Sequence, residues 1–409
     1  MVAAERTRQT YRYELLRSAT AGVIETAGST FLLLIAVRWF QAGALTKAIV
    51  AGAGSLGLLI SPLVVSWATA RAWPVSRAAS RILAIGAGAF ALAAVAAYLP
   101  VFGVCSVVGM AASAAIIPLL TQMYQDNYPE RERGRLFSRT VMVRIATAAL
   151  FSKVAGDLLT GRIEYFRVLL AVFAGALALA SYCLSRCATG PIVPDGGSHP
   201  LRALRFVRDD PLFRRTLICW MLMGFANLMM LPLRVEYLAN PKYGHLLSAS
   251  VIALLTGVIP NLARLVLSPV WGHLFDRMNF FALRVTLNCG FAVGILTFFT
   301  SDSMTGMILG AVVFGISNAG GDVAWSLWVT KFAPPGRVAD YMAVHTFLTG
   351  VRGVLAPLVA FLAVGTVPLG GLAAFSAALI LGATLLLLPE IRWGRKARPS
   401  SVLVEEVSE

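Results

Sequence analysis

The sequence predicts an all-α membrane protein, with twelve transmembrane helices arranged as two pseudo-symmetric six-helix bundles. Three observations carry that prediction. Of 409 residues, 58% are hydrophobic and only 13% charged, whereas a soluble domain is about a quarter charged. Twelve apolar stretches follow one another, separated by polar joins, and a stretch of about 20 apolar residues is what a helix needs to cross the hydrocarbon of a bilayer. Finally, short motifs of the first half return in the second about 200 positions later, the mark of an internal repeat.

The first-half stretches centre on 18–38, 44–70, 79–99, 101–124, 136–160 and 165–186. The segment Met1 to Arg17 before them is polar and basic and has no small-residue cleavage site, so the first span reads as uncleaved. The second-half stretches centre on 214–238, 246–275, 280–300, 303–331, 338–364 and 368–388. Between the halves the chain turns polar and rich in Pro and Gly (Gly190-Pro191, Pro194-Asp195-Gly196-Gly197, Pro200), as a join between bundles does. The expected organisation is therefore a bundle over 1–187, a cytoplasmic linker over 188–213 and a bundle over 214–409. Within the linker, 201–208 has the pattern of a short amphipathic helix at the membrane surface.

The repeat rests on three matches. Ile60-Ser61-Pro62 returns as Leu267-Ser268-Pro269, Gly134-Arg135 as Gly336-Arg337, and Gly22-Val23-Ile24-Glu25 as Gly224-Phe225-Ala226-Asn227. Together they predict six plus six spans in parallel repeat.

An even span count puts both termini on one side, and basic residues identify that side as cytoplasmic. It receives Arg6, Arg8, Arg12, Arg17, Arg71, Arg77, Arg81, Arg131, Arg133, Arg135, Arg139, Arg202, Arg205, Arg208, Arg214, Arg215, Arg392, Arg395, Lys396 and Arg398. The other side keeps Arg38, Lys47, Arg162, Arg167, Arg234 and Lys242. The net charge of +15 is thus a topology signal, and no nucleic acid is expected as partner, because no basic stretch is interleaved with exposed aromatics. The five cysteines (Cys105, Cys183, Cys187, Cys219, Cys289) have no paired spacing and read as spectator thiols.

The eighth stretch ends in Leu267-Ser268-Pro269-Val270-Trp271-Gly272-His273-Leu274-Phe275-Asp276-Arg277, and the ninth begins at Phe280. Here Gly272 is expected to let backbones approach, and Asp276 to accept from the first amides of the returning helix. Arg277 and Arg284 should hold the turn on the positive side. The run Gly272-x-Leu274-x-Asp276-Arg277 resembles the loop signature of the major facilitator superfamily of secondary transporters, with Asn279 where the family has a later glycine. Tyr128-Pro129-Glu130-Arg131-Glu132-Arg133-Gly134-Arg135 likewise resembles that family's inner loop after span 4. The loop charge matching Asp276 is missing from the first half, which reads Thr69-Ala70 there. The resemblance implies gating roles for Gly272, Asp276, Arg277, Gly134 and Arg135. It also implies a monomeric, alternating-access transporter of a bacterial inner membrane, with spans 1, 4, 7 and 10 lining a central cavity.

No enzyme signature is present: there is no Gly-x4-Gly-Lys-Ser/Thr, His-Glu-x2-His or Gly-x-Ser-x-Gly. No cofactor and no metal is expected. The informative residues are the polar ones inside spans, because charge in hydrocarbon costs roughly 2.5–3.5 kcal/mol. On the cavity-lining spans these are Glu25, Gln122, Asn227, Asn318 and Asp322, and spans 5, 8 and 11 add Arg144, Lys153, Asp157, Asn261, Arg264, His345 and Arg352. Arg352 must find an anion, so either Glu25 or Asp322 neutralises it or a substrate does. The expected substrate set is Arg352, Glu25, Asp322, Asn227, Asn318, Arg264 and Gln122. The expected proton-coupling set is Glu25, Asp322 and His345, imidazole being the group that changes charge near neutral pH. Interior charge leans basic, which favours a small anionic or zwitterionic solute. A lipophile or drug exporter is the alternative cargo reading; the drug-antiporter glycine series is absent from span 5, which reads Arg144-Ile145-Ala146-Thr147-Ala148-Ala149-Leu150-Phe151. A non-transporting receptor or assembly factor on the same fold is the other class.

Overall fold

With no water in the bilayer core to satisfy backbone amides, a chain of this composition closes its hydrogen bonds within helices. The computed structural model describes residues 3–96, 98–190, 204–245, 247–331, 338–389 and 391. Helix α1 comprises Ala3–Thr26, a π-helical turn Ala27–Phe31 and Leu32–Arg38. It is followed by α2 (Ala44–Ala70), α3 (Val75–Val95), α4 (Leu99–Ala115, then Ile117–Asn127), α5 (Glu130–Leu159) and α6 (Phe166–Ser185). The second half holds α7 (Pro211–Ala239) and α8, built from Ala249–Ala253, a π-helical turn Leu254–Val258 and Ile259–Arg277. Then come α9 (Phe280–Thr300), α10 (Met304–Leu327 with a tight end, Trp328–Lys331), α11 (Val338–Ala363) and α12 (Leu369–Leu385). Ten described helices are long and apolar enough to cross a membrane. The charged α5 and the short apolar α12 complete twelve.

Local chemistry sets the joints. Pro118 opens the second part of α4; lacking an N–H and crowding the preceding turn, proline restarts the helix there. Ser248, Asn279 and Ser303 cap α8, α9 and α10 by accepting from Val251, from Phe281 and Ala282, and from Gly306. The first amides of α9 therefore bond to Asn279 Oδ1 at 2.9 and 3.3 Å, the position where the family glycine is replaced. The side chain of Asp276, expected to do this, lies outside the described residues, as do linker residues 191–203 with Arg202, the Gly336-Arg337 match, and Arg392, Arg395, Lys396 and Arg398. Of the expected surface helix, Arg205–Asp209 is helical.

The chain divides into two compact units, Met1–Gly197 with Val235–Val258, and Ser198–Arg234 with Ile259–Glu409. In the first, α1 packs on α5 and α6, α2 on α4, and α3 on α4 and α6. The stretch Val235–Val258 packs closely into this unit. A Cβ at Gly156 would sit 2.6 Å from Ala253 Cβ, and one at Gly257 would sit 2.7 Å from Ser152 Cβ. The π-helical turns of α1 and α8 meet through Thr30 and Thr256, hydroxyl to hydroxyl at 2.9 Å. In the second unit α10 packs on α8 and α9, and α9 on α12. The matching glycines both mark close contacts between helices: a Cβ at Gly22 would strike the Arg144 carbonyl of α5, and one at Gly224 would strike the Arg352 guanidinium of α11.

Four expectations change. The polar segment ahead of the first span is helical from Ala3, which makes α1 about 54 Å long at 1.5 Å per residue. Its charges are satisfied locally: Arg17 donates to both Glu14 oxygens at 2.7 and 2.6 Å, and the Tyr124 hydroxyl donates to Glu14 at 2.6 Å. Lys47 and Arg234, counted as loop charges, are 8% and 5% exposed inside helices. Arg284, expected as a surface anchor, is fully buried, its guanidinium carbon 3.6 Å from the centre of the Trp220 ring. A Cβ at Gly272 would meet no described atom within 4 Å, so no close backbone approach occurs there among the described residues.

Candidate functional site

Charged groups inside membrane helices are tolerated where they pair or face water, and among the described residues each unit holds such an ion pair. In the first, α1 carries Glu25 and α5 carries Arg144, with Glu25 Oε2 and Arg144 Nε 3.3 Å apart. Their side chains are 27% and 37% exposed. This is a charge contact without hydrogen-bond geometry at Nε.

In the second unit the pair is tighter. Arg264 of α8 donates from Nε and Nη2 to Asp322 Oδ2 of α10 at 3.0 and 2.6 Å, and from Nη1 to Asn261 Oδ1 at 2.8 Å. Arg264 is 7% exposed, whereas the Asp322 side chain is 42% exposed. The guanidinium is thus held from two helices while the carboxylate stays accessible. Asn318, one turn earlier on α10, is half-buried.

Arg352 finds neither expected carboxylate among these pairs. Its Nη1 donates to the Trp220 carbonyl of α7, beside Gly224, where no side chain takes up the space it needs. His345, seven residues earlier on the same face of α11, is fully buried among Trp220, Trp325 and Trp328, with ring centres 5.4, 5.5 and 5.1 Å away. Neither of its nitrogens meets a hydrogen-bond partner among the described residues. Arg284 joins this cluster across Trp220. Sequence reading missed it because its position near the start of a span resembles that of a loop anchor.

The remaining candidates sit apart from these pairs. Gln122 is exposed and donates to Asp126 one turn on, at 2.8 Å. Asn227 is half-buried, its Oδ1 enclosed without a partner among the described residues. Gly134 is exposed, and Arg135 makes a surface pair with Glu132 at 3.4 Å. Arg277 is exposed. Burial and the Glu14 carboxylate push the Tyr128 phenol, at the α4–α5 loop, above its usual range. Lys153 and Asp157 pair in the open at 2.6 Å, and the Ser250 hydroxyl donates to the same carboxylate at 2.5 Å.

A further pair joins two residues that the sequence reading left outside the candidate site. In the first unit Lys47 Nζ donates to Glu236 Oε1 at 2.6 Å, with side chains 10% and 0% exposed, and Asn240 Nδ2 donates to the same oxygen at 2.8 Å. Arg38 donates nearby to the carbonyls of Ala239 and Leu247, at 3.1 and 2.5 Å. No described group of three His, Cys, Asp or Glu side chains could hold a metal ion.

A family profile described as Major Facilitator Superfamily matches residues 18–357. Among solved structures, a point mutant of the nucleoside transporter NupG superposes with a TM-score of 0.74 at 13% identity, over 94% of this chain and 99% of that one. The inward-open xylose transporter XylE from E. coli gives 0.68 at 14% identity, over 99% of both chains. The human organic anion transporter MFSD10 gives 0.65 at 16%, over 95% of this chain and 100% of that one. At these identities the likeness is one of fold. No curated protein sequence matches the chain.

Proposed function

The chain belongs to the Major Facilitator Superfamily, and on that premise we propose that it is a secondary active transporter carrying a small anionic or zwitterionic solute together with protons. The observation that supports this reading best is the Arg264–Asp322 pair. A guanidinium fixed by Asn261 about half-way along α8, and an accessible carboxylate on α10, form a site where one anion can replace another. When Asp322 takes a proton, Arg264 loses its counter-ion and becomes a receptor for the carboxylate or other anionic group of a solute. When the solute leaves, Asp322 returns its proton and closes on Arg264 again. Charge in the membrane interior is balanced in both states, which is what an ion pair buried in low dielectric requires.

Glu25 with Arg144 offers the same exchange in the first unit. Asn318 and Gln122 are then cargo-orienting groups, Arg352 a second anion receptor, and His345 a further proton site. In this reading a single chain suffices, with the halves 1–187 and 214–409 moving about the linker 188–213. Gly272, Asp276, Arg277, Gly134 and Arg135 set the gate, and both termini are cytoplasmic at a bacterial inner membrane.

The test is a thermal-shift screen of the purified protein against pooled anionic, cationic and neutral metabolites at two pH values, with Arg264→Ala, Arg352→Ala and Asp322→Asn alongside. A stabilising anionic hit that Arg264→Ala loses supports the site. With that hit in proteoliposomes, Asp322→Asn should abolish accumulation driven by a pH gradient and keep counterflow exchange. Hits confined to lipophilic cations would overturn the anion reading in favour of drug export.

A further inference from the structure

Arg234 of α7 is the cation whose surroundings the transport reading leaves unexplained. It is 5% exposed, and its Nε and Nη1 are enclosed without a hydrogen-bond acceptor among the described residues. The guanidinium carbon lies 3.9 Å from the centre of the Phe314 ring. The carboxylate two residues on, Glu236, is already held by Lys47 and Asn240. Seven residues earlier on the same helix face, Asn227 Oδ1 is also enclosed without a partner. Both residues line one small cavity of about 10 Å³, walled further by Gly294, Phe298, Gly310 and Phe314.

From the geometry we infer that this cavity is a binding site for a single monovalent anion of halide size, held by the Arg234 guanidinium and the Asn227 amide. The volume sets the size: about 10 Å³ is the room one water-sized occupant takes, too little for sulfate, phosphate or an organic acid. The walls are close-packed, because α9 and α10 touch at glycines. A Cβ at Gly310 would lie 2.7 Å from the Phe298 nitrogen, and one at Gly294 would lie 3.1 Å from the Phe314 nitrogen. Charge sets the sign. A neutral water would satisfy hydrogen bonds yet leave a guanidinium, which stays protonated, without a counter-ion in a medium that penalises charge. The Asn227 amide supports an anion equally well, since its oxygen and nitrogen exchange by a flip that places two N–H donors in the cavity.

The experiment uses the full chain, purified in detergent, with melting temperature read in sodium chloride, bromide, gluconate and sulfate at matched ionic strength. Chloride and bromide should raise it in a saturable way, while gluconate and sulfate should not. Arg234→Gln should abolish the halide shift, and Asn227→Ala should weaken apparent halide affinity about tenfold, the loss of one charge-assisted hydrogen bond. Should Arg234→Gln fail to fold, Asn227→Ala and a bromide-soaked crystal decide, through an anomalous peak beside the guanidinium. Equal melting in all four salts, a halide shift retained by Arg234→Gln, or water in place of the bromide peak would overturn the proposal. None of these outcomes depends on which solute is transported.

Discussion

Replacing Lys47 with Met strands the Glu236 carboxylate, and the size of the effect follows from burial. The pair is 2.6 Å apart with side chains 10% and 0% exposed, so neither charge returns to water when its partner goes. Removing one member of a buried pair costs about 3–5 kcal/mol, because an uncompensated charge stays behind, whereas removing both is near neutral. Lys47→Met and Glu236→Gln should therefore each destabilise by about that much. The double variant, in which the Gln still accepts from Asn240, should lose only about 1 kcal/mol. The coupling is then at least about 5 kcal/mol, a factor above 1,000 in the unfolding equilibrium. The assay is unfolding in mixed micelles of increasing denaturing detergent, followed by a thiol dye that reaches the buried Cys183 and Cys219 only when helices separate. Single variants each within about 1 kcal/mol of the parent and additive in the double would refute the reasoning, because that is how a solvent-screened pair behaves.

Two further outcomes use the same preparation. A Cβ at Gly315 would lie 2.6 Å from the Pro260 carbonyl oxygen and 2.8 Å from Ala263 Cβ, so Gly315→Val should cost about 1–3 kcal/mol through overpacking. Gly272→Ala, with no described atom within 4 Å, should be neutral or stabilise by up to about 1 kcal/mol as a better helix former; the reverse order would contradict the packing described. Burial pushes the Cys187 thiol, just beyond α6, up to about 12. Its alkylation in the folded protein should thus rise about tenfold per pH unit from pH 7 to pH 10, because only the thiolate reacts; mass spectrometry of iodoacetamide-treated protein would show a plateau near pH 9 if the thiol were unperturbed.

The helices were legible because apolar length is a strong signal: the expected 44–70 and 280–300 coincide with α2 and α9. The start of α1 was not, since hydropathy ends where Glu14, Arg17 and their neighbours begin. What keeps those residues helical is a hydrogen-bonded cluster completed by Tyr124, which is 110 positions away in sequence. Charge counting failed for Lys47, Arg234 and Arg284 for a related reason. Position near a span end suggests a loop, while burial depends on a partner from another helix: Glu236, the Phe314 ring and the Trp220 ring. A spacing of seven residues puts Arg352 and His345 on a common face of one helix. It could not assign their partners, because that depends on how α11 is rotated against α7 and α10.

These pairings alter the argument about cargo. An interior that leans basic favours an anion only through cations lacking a carboxylate of their own. Arg144, Lys153 and Arg264, which gave the sequence its basic lean, each have one, in Glu25, Asp157 and Asp322. Arg352 keeps its standing, and Arg234 and Arg284 join it, all three packed against aromatic rings or backbone carbonyls. Two of these, Arg284 and Arg352, share Trp220, one over its ring and the other on its carbonyl. An organic anion therefore has its best entry at Arg264, by competing with an accessible carboxylate. The cations without carboxylates shape the field of the second unit and, at Arg234, leave room for a smaller ion. Competition for a paired cation ties solute binding to a proton by charge balance, so coupling follows from the occupancy of one guanidinium and needs no separate proton relay.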